Sequence, residues 1–572
     1  VGGKKRLAAG WEESHTAGMP SDLDARLADP GYTPARGDLA ELLTVVMGAD
    51  EVASDRAEKA VAKLGVLALD GVLAALETKD GPARARVVRT AGRLARGVEA
   101  EAQAQLRQGL LTRLSDADAV VRRQAIVALG RLGGEEVVAA LCERVAHETR
   151  VEHHRALAEA LGKSHEPGAR EGIEALRGLA AGHRDARLDR ILAEAELKVR
   201  RGEARGTPSA IRADGRAPGP LETWFHTRRG LEEFVVEELG ALSLGGRVLA
   251  SGLVAATWSG TLAELASSRV ALRYGFPLAQ QSVKAAGGLD EAVVRALTSD
   301  AAHTILSAFT EGSIRYRLEW AEAGRRRGGS MRVAEAVLEK RPTFVNDPRD
   351  ATWEAIVYDR GPVVQVELWP RGLDDTRFAY RQAMLPASSH PTVAAALARA
   401  ARVKDDDVVW DPFVGSASEL IECARLAPGA TLLGCDLDEG ALDAARTNLA
   451  AAGLTATLTR MDARAFRPPQ KPTLLISNPP MGRRIADLDS LREVFAKVLA
   501  RAAEVLPANG RIVWLSPLPR DTEEFARRHG LSVTGRREVD MGGFFAELQR
   551  IERPSVAPPV RPPPVREVHP RR

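Results

Sequence analysis

Val408-Val-Trp-Asp411-Pro-Phe-Val-Gly415-Ser416, followed by Thr431-Leu-Leu-Gly-Cys-Asp436 and later by Thr473-Leu-Leu-Ile-Ser-Asn478-Pro479-Pro480-Met481, decides how the last third of this 572-residue chain folds. Each piece is a short apolar run that stops at a polar or turn residue, and a further run at 456–459 leads to Asp462. Between them lie stretches long enough for helices. Buried strands alternating with helices predict a parallel sheet covered on both faces, so residues 385–552 read as a Rossmann-like α/β domain. Ligands of such sheets bind beyond the carboxyl ends of the strands, where Asp411, Gly415, Asp436, Asp462 and Asn478 fall.

The chemistry of those ends narrows the ligand. The first turn is not G-x-G-x-x-G; it carries one firm glycine, Gly415, and an acid, Asp411. An acid suits an amine-bearing ligand better than a pyrophosphate. Asp436, 25 residues beyond Asp411, is spaced to meet ribose hydroxyls. S-adenosylmethionine has an amino acid head, a ribose, an adenine and no phosphate, and it fits this order. Asp462 would then reach the adenine amine, with Phe413, Ser416, Leu437 and Ala463 beside these aspartates completing the expected cofactor site. In Asn478-Pro479-Pro480-Met481 the two prolines fix φ, restrict the residue before them and offer no N–H. The loop therefore presents stiff acceptors, the Asn478 side chain and the Pro479 carbonyl, suited to holding both hydrogens of a planar amine. Orientation and electrostatics would supply the rate without a dedicated base.

Working outward, the first 200 residues show almost no strand signal. Val121, Ala125, Ala128, Leu129 and Leu132 line one helix face, Gly133-Gly134 stops that helix, and Val137, Val138, Leu141 and Val145 begin another. Ser115, Asp116 and Asp118 supply its capping start. Leu64-Gly65, Ala91-Gly92, Leu129-Gly130 and Leu161-Gly162 read as ends of similar helices, 27, 38 and 32 residues apart. Helix pairs repeated in this way bury their faces only by stacking, which predicts an α-solenoid over 40–195. His153-His154 reads as solvated, since adjacent residues point to different helix faces. Residues 196–220 are basic and rich in Gly and Pro, and read as a linker unable to order itself. Residues 221–384 mix strand-like stretches (223–227, 248–258, 313–320, 363–369) with helical runs, an α+β region. Arg325-Arg326-Arg327 is its densest basic cluster and a candidate for phosphate contact.

Composition sets outer limits. The net charge is +3, with 45% hydrophobic and 27% charged residues, a globular balance that neither demands nor excludes nucleic acid. Cys142, Cys423 and Cys435 are too few and too scattered for a disulfide framework or a zinc site, and no metal is expected. No apolar h-region follows the basic Val1–Arg6 and no run approaches a membrane span, so the expected location is cytoplasmic, without a membrane partner. Residues 553–572, rich in Pro and Arg, read as a disordered tail.

These residues resemble known families. Asp116-Ala-Asp-Ala-Val-Val-Arg-Arg-Gln-Ala-Ile-Val-Ala-Leu-Gly130 is similar to a HEAT repeat. Asp411-Pro-Phe-Val-Gly-Ser416, Asp436, Asp462 and Asn478-Pro-Pro480 resemble the cofactor loop, ribose acid, adenine contact and catalytic motif of class I amino-methyltransferases. More narrowly they are similar to the THUMP-domain RNA methyltransferases that form N2-methylguanosine. Phe225-His-Thr-Arg-Arg-Gly-Leu-Glu-Glu-Phe234 resembles the opening of that family's ferredoxin-like domain, Arg377-Phe-Ala-Tyr-Arg381 the end of its THUMP domain, and Leu385-Pro-Ala-Ser-Ser-His-Pro-Thr392 the junction into its catalytic domain. The resemblance implies S-adenosylmethionine as cofactor and RNA as partner, tRNA or rRNA, with the guanine flipped into the pocket. The repeats, foreign to that plan, are assigned to binding RNA or a protein partner. Two positions depart from the family: Ala417 replaces a second glycine, and Met481 replaces a stacking aromatic whose place Phe413 or Phe544 could take. Methylation of a protein glutamine amide, or an inactive adaptor, are the alternatives.

Overall fold

The computed structural model describes residues 22–554 except 30, 165, 167, 183–184, 322–326, 387 and 482–487, and the chain divides into two compact units. The tail from residue 555, Arg325, Arg326 and the Arg327 side chain lie outside the described residues, so the expectations placed on them are not addressed.

The first unit comprises the N-terminal helices through residue 208 together with residues 326–350. Its inner helices, Gly81–Leu94, Ala119–Leu132, Val151–Leu161 and Ala186–Gly206, pack each on the next. Of the four recurrent glycines expected at helix ends, Gly65 and Gly162 follow helices that close at Lys63 and Leu161, whereas Gly92 and Gly130 lie inside helices. A Cβ on Gly92 would sit 2.7 Å from the Ala128 Cβ, on Gly130 2.5 Å from that of Ala160, and on Gly162 2.7 Å from that of Ala195. At these three steps a glycine stands where the next inner helix brings an alanine, and the backbones close to a distance that two side chains would forbid.

Ion pairs reinforce the same step. Arg84 forks onto Asp116, Arg122 onto Glu148, and Arg155 pairs with Asp185, each reaching the loop that opens the next inner helix. Asp118 caps its helix as expected, accepting from the Val120 and Val121 amides. His153 and His154 are buried, not solvated: His153 Nδ1 meets the Glu148 carboxylate and His154 Nε2 lies 2.8 Å from the Glu148 carbonyl.

The linker expectation for 196–220 is overturned. Ala186–Gly206 is one 21-residue helix, and Ser209–Ile211 is a strand paired with Thr310–Gly312. Basic residues masked an amphipathic pattern that buries Leu188, Leu192, Ala195, Leu197 and Val199. The arginines have partners too: Arg201 bonds the Asn346 backbone and side chain, and Arg205 forks onto Asp347 at 2.6 Å through both nitrogens. Leu197 packs on Ala334 and Leu338 of the helix Arg327–Lys340, so a segment 130 residues downstream closes the end of the helical stack.

The second unit holds residues 209–325 and 351 onward. Its first part is a mixed sheet in the order 246–250, 253–258, 221–226, 273–277, 363–370, 353–359, 314–320. Its second part is the expected α/β sheet. With β1 (Val408–Asp411), β2 (Thr431–Asp436), β3 (Thr457–Arg460), β4 (Leu474–Ser477), β5 (Arg511–Ser516), β6 (Ser532–Asp540) and β7 (Phe545–Glu552), the order is β3-β2-β1-β4-β5-β7-β6. The first five strands run parallel; β7 is antiparallel to β5 and β6, a hairpin the alternation of strand and helix did not foretell. Arg269 clamps Glu422 through two 2.7 Å bonds, Tyr380 donates to the same carboxylate, Arg399 pairs with Glu238, and Gly230 (φ +93°) lets its loop lie against the Glu538 carbonyl, fixing the two parts together. Among the described residues no helix is long and apolar enough to cross a membrane.

Candidate active site

The strand order reverses between β1 and β4, the point where an open α/β sheet forms a crevice. Parallel register puts Trp410 beside Leu475, so Asp411 and the Ser477-Asn478 step emerge side by side. The Ser477 hydroxyl donates to Asp411 Oδ1 at 2.7 Å and the Phe413 amide to the same oxygen at 3.0 Å. Asp411 is fully buried, and its Oδ2 has no partner among the described residues. Burial above all, then the carboxylate of Glu419, pushes its carboxyl well above the usual carboxylate range.

The turn after β1 is shaped by its backbone. Gly415 takes a positive φ of +49°, and its amide donates to Asp436 Oδ2 at 3.0 Å. Asp436 Oδ1 accepts from the Asp438 amide at 3.1 Å, so the acid at the end of β2 is held by amides on both sides. Ala417, fully buried, is left-handed at φ +64° and caps the helix Ser418–Leu426. An alanine there carries about 1 kcal/mol of strain that glycine would not. Asn448 donates to the Ser416 carbonyl at 3.0 Å and to that of Ala383 at 2.9 Å, tying the turn to the segment that enters the domain.

Toward β3 the surface opens. Leu437 and Met461 are exposed apolar side chains beyond the ends of β2 and β3, and Phe413, in the turn after β1, is half-buried. Ala463 is buried. Asp462 is gripped by Arg464, whose guanidinium and backbone amide both donate to it and hold its carboxyl below the ordinary value. Its expected adenine contact must share the carboxylate with Arg464, a competitor that a strand-end pattern does not reveal.

The second acceptor sits on the loop after β4. Asn478 Nδ2 donates to Ser389 Oγ at 2.8 Å, and Asn478 Oδ1 is buried with no partner among the described residues. Pro479 is buried, Pro480 exposed and Met481 half-buried. Ser389 in turn hydrogen-bonds Glu419, itself buried. The sequence reading named neither Ser389 nor Glu419. The only signal was the run Ser388-Ser389-His390, read as a domain junction.

Two unsatisfied acceptors, on adjacent strand ends at a switch point, sit beside a glycine turn, a second acid held by amides, and exposed apolar side chains. An amine fits Asp411, hydroxyls fit Asp436, and a flat apolar ring fits Leu437. That donor and acceptor set matches S-adenosylmethionine and defines a class I methyltransferase that uses it.

Comparison with known proteins agrees. Residues 379–546 match the RMKL-like methyltransferase domain, and residues 69–162 and 107–198 match HEAT repeats. The tRNA (guanine(6)-N2)-methyltransferase of Thermus thermophilus is 28% identical over 348 residues, 57% of this chain and 98% of that protein. The tRNA (guanine(10)-N2)-dimethyltransferase of Methanocaldococcus jannaschii is 30% identical over 141 residues, 23% of this chain and 38% of its own length. The bovine U6 snRNA (guanine-N(2))-methyltransferase THUMPD2 is 29% identical over 24% of this chain and 27% of its own. Among solved structures, TrmN from Thermus thermophilus aligns with a TM-score of 0.48 at 26% identity, covering 58% of this chain and 99% of that one. The chain is a methyltransferase, similar to the RMKL-like methyltransferase domain over residues 379–546 and to HEAT repeats in its helical unit.

Proposed function

We propose that this chain methylates the exocyclic N2 amine of a guanine in RNA, with tRNA the foremost substrate. The observation that carries the reading is the buried, unpartnered Asn478 Oδ1 beside the unpartnered Asp411 Oδ2. The names of the relatives, each a guanine-N2 methyltransferase of tRNA or snRNA, support the substrate class.

S-adenosylmethionine, when bound, supplies an electrophilic methyl group. Asp411, Gly415, Ser416, Asp436 and Asp462, with Phe413, Leu437 and Ala463, are the residues to hold it. Asn478 Oδ1 and the Pro479 carbonyl accept the two hydrogens of the target amine, while Pro480 keeps the loop stiff and Met481 packs on the base. Gripping both hydrogens draws the nitrogen lone pair out of conjugation and aims it. The amine sheds its proton after transfer, so no general base is required.

Residues 221–384, read as ferredoxin-like plus THUMP, would hold the RNA. Arg273 supports this: exposed, stacked 3.5 Å over the Trp369 ring and in no ion pair among the described residues, it offers a pre-placed guanidinium for phosphate. The repeats are assigned to RNA or a protein partner. The reading implies a cytoplasmic setting, which suits the unpaired Cys142, Cys423 and Cys435.

The test is incubation of total RNA and protein with tritiated cofactor. Label enters tRNA with the wild type and falls at least about 100-fold in Asn478→Ala, while cofactor affinity by calorimetry stays within about twofold. Label confined to protein would move the assignment to a glutamine amide; failure to bind cofactor would favour an adaptor.

A further inference from the structure

We infer that Ser389 is a positioning residue, the lock that decides which end of the Asn478 amide faces the target nitrogen. The inference rests on the proposed role of Asn478. An asparagine can present either its carbonyl or its amino group, and only the carbonyl can accept from an amine. The prolines stiffen the loop backbone but leave rotation about the Cβ–Cγ bond of Asn478, which exchanges the two ends of the amide, undecided. The structure settles it through a chain of hydrogen bonds: Asn478 Nδ2 lies 2.8 Å from Ser389 Oγ, and Ser389 Oγ meets Glu419 Oε1.

The direction of that chain follows from its far end. The Ser389 hydroxyl donates its single proton to Glu419 Oε1. Ser389 Oγ is then left with lone pairs alone and can receive only a donor, the Asn478 amino group. Asn478 Oδ1 is forced to the opposite side, where it is buried and unpartnered. Glu419 is buried, forms no ion pair among the described residues, and occupies the first turn of the helix Ser418–Leu426, where the helix dipole favours its charge. Burial above all raises its carboxyl above the ordinary value, with the Glu422 carboxylate adding to that and the Ser389 hydroxyl opposing it. The cluster is thus costly to bury and holds one asparagine in one orientation, as expected of a group retained for positioning rather than stability.

Three variants of the full chain test this with tRNA and tritiated cofactor. Ser389→Ala leaves the amide unlocked, and kcat falls about tenfold while KM for tRNA and the cofactor dissociation constant change less than twofold. Ser389→Thr keeps the hydroxyl and restores kcat to within about threefold. Glu419→Gln can donate as well as accept, so the direction of the chain is lost; kcat falls severalfold and loses whatever dependence on pH the carboxylate imposes. Wild-type kcat in Ser389→Ala, an equal loss in Ser389→Thr, or a loss carried wholly by KM would overturn the lock. Should Ser389→Ala fail to fold, as judged by circular dichroism, Glu419→Gln with unchanged kcat would overturn it alone. If the wild type labels no RNA while Asn478→Ala binds cofactor normally, the substrate reading has failed and not the lock.

Discussion

Buried acids behave in opposite ways in the two units. In the helical repeats, Glu148 is buried among Arg122, Arg144 and His153, and Glu58 between Arg89 and Arg93. In the catalytic domain, Asp411 and Glu419 are equally buried but meet hydroxyls and amides, and neither has an ion-pair partner among the described residues. Burial alone destabilises the charged form in every case. For Glu148 the cations outweigh burial and the carboxyl falls to about 2; for Asp411 nothing does, and it rises. A buried charge that is fully paired belongs to the architecture, whereas one left short of partners marks where a ligand completes the set.

The largest expected effect that would break this contrast lies in the repeats. Glu148→Ala leaves three cationic or titratable groups facing one another and should destabilise the helical unit by about 3–5 kcal/mol in chemical denaturation. The linked pH dependence has a fixed sign. A carboxyl held near 2 contributes stability that is fully present above its unfolded value and is lost as pH falls toward 2. The acid limb of the thermal melting profile should therefore steepen through Glu148 and flatten in Glu148→Gln; an unchanged profile would show that the cluster is not what holds the repeats.

Next comes the glycine ladder. Gly130→Val places atoms on the Ala160 backbone and should destabilise by about 2 kcal/mol, with methyl transfer per folded molecule unchanged. A variant of wild-type stability would mean that the helices are not in close contact.

Asp411→Asn tests the other half of the contrast. Because the Asp411 carboxyl is raised, affinity for a ligand bearing an ammonium group should strengthen as pH rises through its ionisation and weaken below it. The variant should bind the cofactor at least about tenfold more weakly at high pH and without that slope, by calorimetry. Equal affinity would place the amino group elsewhere. The smallest effect is at Ala417, where glycine relieves a left-handed alanine but adds freedom to the unfolded chain. The melting temperature should rise by an amount equivalent to less than about 1 kcal/mol, with activity retained.

The strand ends at Asp411, Asp436, Asp462 and Asn478 were legible because all strands of a parallel sheet finish on the same edge, whatever their order across it. The helical repeats were legible from periodicity, and Gly65 and Gly162 stand at helix ends as expected, but Gly92 and Gly130 lie inside helices: a glycine looks the same in sequence whether it breaks a helix or lets a neighbour approach. The basic stretch at 196–206 failed for a related reason. Charge suggested solvent, yet Arg201 and Arg205 find Asn346 and Asp347 far downstream, and no local window contains both partners.

What the sequence determined by itself is therefore the chemistry carried by contiguous or regularly spaced residues: the α/β edge, the stiff Asn-Pro-Pro loop, the repeat period and the class of cofactor. What only the tertiary structure decided is which polar groups go unsatisfied. That property depends on every neighbour at once, and the bonds linking Asn478 to Ser389, and Ser389 to Glu419, cross 89 and 30 residues of sequence to leave one carbonyl oxygen bare.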